Sequence, residues 1–331
     1  MNSREDGQIT CLVPVFECAE RLKHHLGIIQ GLQGICADIL WVITQGQDES
    51  EAVVRSAIRA GIGRHMEVPR GLYQAWNSGV ACVTTEFVYV STVGEAISPQ
   101  GLTVLRESLQ RTGADVCFTP PILPKERKSR NQLHSWPVFR FQRELRATEG
   151  KILNPWTVAK LQALAGIHGL LGSCASCLFR TAFLQTHPFP SNLHHYGDSG
   201  WVYQNYARAK MVFLHSPVAS FTVHGPSGRL VNPRDLDKLR SGIVRTLRLL
   251  PKGLPAARAL QRMSACTRYL DLHRGPRPSR FWWLQRNWLA VRIQRQRQAN
   301  LFQKRMNYLP AAIESSASGK KAFEDDDLMR H

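Results

Sequence analysis

The sequence predicts an α/β fold, a largely parallel sheet with helices on both faces, followed by a basic and mostly helical extension. Two observations carry this. Over the first two thirds, short β-branched and aromatic runs alternate with amphipathic helical stretches, the βαβ order that builds a parallel sheet. The charge is also uneven. Of the formal +18, a net +16 lies in residues 229–310, where 19 Lys and Arg face three acids. A near-neutral domain of 1–227, a basic amphipathic extension of 228–313 and a disordered tail of 314–331 are therefore expected.

Taken in order, ITCLVPVF (9–16) reads as a strand and AERLKHHLGIIQGL (19–32) as a helix. ADILWVIT (37–44) is the next strand, and ESEAVVRSAIRAG (49–61) a helix closing near Gly61. HMEVP is a short strand, GLYQAWNSGVACV a helix and EFVYVS (86–91) a strand. PQGLTVLRESLQRT is helical and ADVCFTP (114–120) extended. From about 121 to 155 the pattern breaks into a polar, basic, Pro-containing loop. Helices are expected again at 156–167 and about 199–208, with a strand at 176–180. KMVFLHSPVASFTVHG (210–225) reads as two strands split at Pro217.

MNSREDGQIT lacks the apolar core of a signal peptide, and the eight cysteines read as reduced thiols, which predicts a cytoplasmic chain. Cys174 and Cys177 form a C-x-x-C with no second pair at zinc spacing, so buried small residues are expected there. ALAGIHGLLGSCASCLF (163–179) is too short and too often interrupted to span a membrane, and reads as core.

Four stretches together carry a resemblance. VPVFECAERL, RGLYQAWNSGV, EFVYVSTVGE and YGDSGW occur in an order and spacing similar to family 2 glycosyltransferases, whose GT-A fold binds nucleotide sugars. The likeness spans residues 9–225. It implies a nucleotide-sugar donor, a saccharide or lipid-linked acceptor, and inverting single displacement in cell-surface polysaccharide or glycolipid synthesis. It places a donor cleft at Pro14, Val15, Phe16, Glu17, Thr44, Gln45, Arg70, Gly71, Asn77, Thr92, Gly94 and Glu95. It also makes Asp198 the general base that takes the acceptor hydroxyl's proton.

The departures are informative. Where the family has acids at the end of the second strand, VITQGQDES has Thr44 and Gln45. Both can hydrogen-bond a base edge, but neither favours uridine over guanosine or thymidine. In the metal-binding acid motif, Thr92 and Gly94 stand where acids usually do, and only Glu95 keeps a carboxylate. Glu95 with His224 and the diphosphate could hold Mn²⁺ or Mg²⁺. Alternatively Arg70 or Arg229 neutralises the diphosphate directly. Plainer roles stay open: Glu95 as an exposed strand end, Asp198 or Ser199 as a helix N-cap (a capping Ser199 would leave Asp198 for the cleft), and Gly71 and Asn77 as packing. His194 and His195 precede Asp198 as acceptor contacts or surface histidines.

RFWWLQRNWLAVRIQRQRQANLFQKRMNYL (280–309) mixes aromatics with arginines, as an interfacial helix on an anionic membrane does. That predicts peripheral attachment at the inner face of the membrane. Packing onto the catalytic domain is the alternative, and without a nucleic-acid module nucleic acid is not an expected partner. Two other functions are left open: a silent nucleotide-sugar or partner binder, and a binding module acting through the basic region.

Overall fold

The computed structural model describes residues 8–122, 136–165 and 169–221. Strands β1 (Ile9–Val15), β2 (Asp38–Thr44), β3 (Arg64–Val68) and β4 (Phe87–Val90) form the first half of a seven-stranded sheet. A two-residue strand β5 (Ala96–Ile97) stands outside it. The strands β6 (Val116–Phe118), β7 (Cys177–Arg180) and β8 (Met211–Phe213) complete the sheet, and β9 (Ala219–Ser220) pairs with β5. The order is β3-β2-β1-β4-β7-β6-β8. Within this sheet all pairings are parallel except those of β7, which runs antiparallel to β4 and β6; β5 and β9 also pair antiparallel.

Why these runs become strands is clear in β1, β2 and β4. Nearly every residue is buried, as expected of parallel strands covered on both faces. Helix α1 (Ala19–Leu32) turns Leu22, Ile29 and Leu32 onto the core. Helices α2 (Ser50–Arg59) and α3 (Leu72–Ala81) form the next two crossovers. Helix α4 (Pro99–Thr112) has clear signals at both ends. Ser98 Oγ accepts the Gly101 N–H at 3.0 Å with proline in the first turn, and Gly113 closes it in the left-handed region.

The strands expected up to residue 180 and the first four helices lie within one or two residues of their sequence positions, while the run expected as two strands around Pro217 gives the shorter β8 and β9. Three differences stand out. The region expected as a loop from 121 to 155 contains helices Pro137–Arg140 and Gln142–Arg146, started by Pro137 after an extended Trp136. The helix Thr181–Thr186 and the strand β5 were not anticipated, being too short to show a period. The helix expected near 199 starts earlier, at Gly197–Asn205. No helix among the described residues is long and apolar enough to cross a membrane. The extension, the tail, His224 and Arg229 lie outside the described residues.

One buried polar contact links this framework to the site. His25 of α1 is 1% exposed, with Nε2 3.0 Å from Ser91 Oγ at the end of β4. Burial lowers its imidazole from 6.5 to about 4, so it is neutral in the folded chain. The unfolded chain takes up that proton near its ordinary value. The stability from a neutral His25 is therefore complete above pH 6.5 and lost as pH falls toward 4. Urea unfolding should show a loss of about 3 kcal/mol across that window, with a flatter profile in His25→Gln.

Candidate functional site

In an open α/β sheet, ligands sit at the carboxyl ends of strands where the strand order reverses. Here that place is between β1 and β4, since β1 is followed in space by β2 on one side and β4 on the other. A cavity of about 650 Å³ opens there, a volume suited to a small organic ligand. Its walls come from the end of β1 (Pro14, Val15, Phe16), the end of β2 (Thr44), the start of α3 (Arg70, Gly71) and the turn after β4 (Thr92, Glu95). Eight of the residues singled out in the sequence thus meet around one space. Glu17, Gln45, Asn77, Gly94 and Asp198 do not line it.

The turn after β4 is built by Gly94, whose φ of 97° suits a residue without Cβ, and the Glu95 N–H donates to Thr92 O at 2.9 Å. It carries Glu95 inward. The alternative of a solvent-facing strand end is thereby corrected, because Glu95 is 6% exposed. The Ser173 hydroxyl donates to Glu95 Oε2. Ser173 Oγ also accepts the Ala175 N–H at 3.1 Å, which fixes the hydroxyl in that role. Across the cavity mouth the Arg70 guanidinium lies over the Phe16 ring, 4.8 Å from its centroid. Among the described residues no group of three or more His, Cys, Asp or Glu is placed to hold a metal ion.

Asn77 is committed elsewhere. Its Nδ2 donates to Phe189 O at 2.8 Å and its Oδ1 accepts the Phe189 N–H at 3.0 Å. This is a clasp between α3 and the segment before residue 197, so the structure gives Asn77 its packing role rather than a place in the cavity. Tyr73, Trp76 and Phe189 stack beside it with ring centroids 5.0 to 5.5 Å apart.

Asp198 sits in the first turn of the helix Gly197–Asn205. Its backbone N–H donates to Tyr73 Oη at 3.1 Å, and Tyr73 itself lines the cavity. Gly197 permits this approach: a Cβ there would lie 2.3 Å from the Tyr73 ring. Neither Asp198 nor Ser199 caps the helix, whose N-cap position is Tyr196 with no side-chain cap hydrogen bond. Asp198 Oδ1 accepts the Ser199 N–H at 2.6 Å, and Ser199 is buried. Backbone positions His194 and His195 fall in the 3₁₀ segment Ser191–Tyr196.

Cys174 and Cys177 are free thiols behind this wall. Burial, then neighbouring charges including Asp198 and Glu95, push both well above the ordinary thiol range. They stay protonated, with the Cys177 thiol donating to Ser173 O at 3.3 Å. Sequence reasoning missed Cys18, Arg21 and Phe221 as cavity-lining residues, whereas Leu72, Tyr73 and Trp76 fall within the expected Gly71–Asn77 stretch of the cleft. For Arg21 a signal existed, a cation in the first turn of the helix that follows β1.

No protein-family model matches the chain, and no curated protein matches it. Solved structures do. S. aureus TarS superposes with a TM-score of 0.55 at 14% identity, over 81% of this chain and 44% of that one. TarS 1–349 in complex with UDP-GlcNAc gives 0.57 at 14% identity, over 80% of this chain and 73% of that one. TarS 1–349 in complex with UDP gives 0.53 at 14% identity, over 80% and 72%. The chain therefore spans less than half of the full-length TarS structure. At this identity the likeness defines the fold: a mixed α/β, mostly parallel sheet of the GT-A type.

Proposed function

We propose that this chain is a glycosyltransferase that moves a sugar from a nucleotide-sugar donor to an acceptor hydroxyl, by inverting single displacement. The observation that carries the reading is the cavity at the β1/β4 switch point, where eight of the donor-cleft residues implied by the resemblance converge. Phe16 offers a partly exposed ring for a base, and Thr44 a hydroxyl at the end of β2. Arg70 offers a cation for phosphate oxygens. Solved TarS complexes with UDP and UDP-GlcNAc support a donor of the same kind.

Asp198 is the general base in this reading. Its N–H is anchored to Tyr73 at the cavity wall, and its carboxylate starts a helix as the resemblance implies. The acceptor is a saccharide or a lipid-linked saccharide of the cell surface, and residues 280–309 attach the enzyme peripherally to an anionic membrane.

The test is thermal unfolding against UDP-, GDP-, dTDP- and CMP-sugars, each with Mn²⁺ and with chelator. A donor at ~100 times its dissociation constant adds about 2.7 kcal/mol of stability. One nucleotide class is expected to raise the melting temperature. No shift with any donor in either condition would remove the proposal.

A further inference from the structure

A hard divalent cation takes several oxygen ligands, carboxylates foremost. The described cavity supplies one carboxylate, Glu95, and its Oε2 already receives the Ser173 hydroxyl. Thr92 offers a neutral oxygen, and Gly94 has no side chain to offer. This donor set does not fit such an ion.

Two cations line the same cavity. Arg21 stands in the first turn of α1, just beyond the end of β1, and Arg70 stands just before α3. Among the described residues neither guanidinium is in an ion pair. Both arginines are exposed, and Arg70 is steadied over Phe16. The planar fork of a guanidinium matches phosphate oxygens two at a time.

We infer that the cavity holds a nucleoside diphosphate through Arg21 and Arg70, without a divalent metal. This rests on the reading of the cavity as a nucleotide-sugar site. With two guanidinium forks on the diphosphate, the charge on the departing group is neutralised by the chain itself.

Calorimetric titration of the full chain with UDP, GDP and dTDP, and with uridine, guanosine and thymidine, in EDTA and then in MnCl₂, tests it. One diphosphate is expected to bind in EDTA about tenfold or more tighter than its nucleoside, with little change when Mn²⁺ is added. In the double variant Arg21→Gln, Arg70→Gln, that preference for the diphosphate should disappear. Binding that appears only with Mn²⁺ overturns the inference and leaves the proposed function standing. A double variant that keeps the preference also overturns it. No binding of any nucleotide or nucleoside in either buffer removes the proposed function as well.

Discussion

Asp198→Asn is expected to lower sugar transfer by about 10²–10⁴-fold, the usual contribution of a positioned general base. Nucleotide affinity should be unchanged. The substitution is nearly isosteric and keeps the side-chain oxygen that accepts the Ser199 N–H at 2.6 Å. The backbone N–H bond to Tyr73 is also untouched. The start of the helix should therefore survive, and the loss should fall on proton acceptance. Kinetics and nucleotide titration on one preparation separate these effects. Unchanged transfer would take the base role from Asp198. A wild-type chain that binds donor without turning it over would be the silent binder that the thinned acid motif leaves open.

Trp201→Ala should have the largest effect on stability, a loss of about 3–5 kcal/mol in urea unfolding. The side chain is fully buried, with its ring 5.7 Å from Phe179, 6.0 Å from Phe183 and 5.9 Å from Phe189. Its indole N–H donates to His187 O at 2.7 Å. Truncation removes the packing and orphans that carbonyl. Trp201→Phe keeps an aromatic ring and loses the donor, so it should cost less, about 1–3 kcal/mol. This aromatic block also ties the Asp198 helix to α3, because Phe189 packs on both Trp201 and Trp76. A destabilised Trp201→Ala should accordingly lose activity at temperatures where it is still mostly folded. Near-equal stabilities for the two variants would show that the ring packing is not what holds this helix.

The half of the fold that was readable in the sequence is the half with long buried strands. ITCLVPV and DILWVIT are mostly apolar strands of seven residues, and AERLKHHLGIIQGL between them repeats its apolar face with a helical period. Local pattern suffices there. The reversal of β7 was not readable, because CLFR has the same buried composition in either direction. Nor was β5, whose two residues show no period.

The site divides along the same line. Pro14 and Thr44 lie at the carboxyl ends of β1 and β2 and Glu95 in the turn after β4, so a correct strand assignment brings them together. The partners that position the chemistry are distant in sequence. Ser173 reaches Glu95 across 78 positions, Tyr73 reaches Asp198 across 125 and Asn77 reaches Phe189 across 112. Nothing local marks such pairs. Asn77 is the instructive case: its motif implied a ligand contact, and the folded chain uses the amide to satisfy two backbone groups of Phe189.

The most direct measurement incubates the full chain with each nucleotide sugar, water taking the sugar in place of the acceptor hydroxyl, and follows release of UDP, GDP or dTDP, or of CMP from a CMP-sugar, with Asp198→Asn run beside it. The account predicts that the chain consumes one class of donor and that the variant consumes it far more slowly. Consumption of none by the wild type, or equal consumption by the variant, would contradict it.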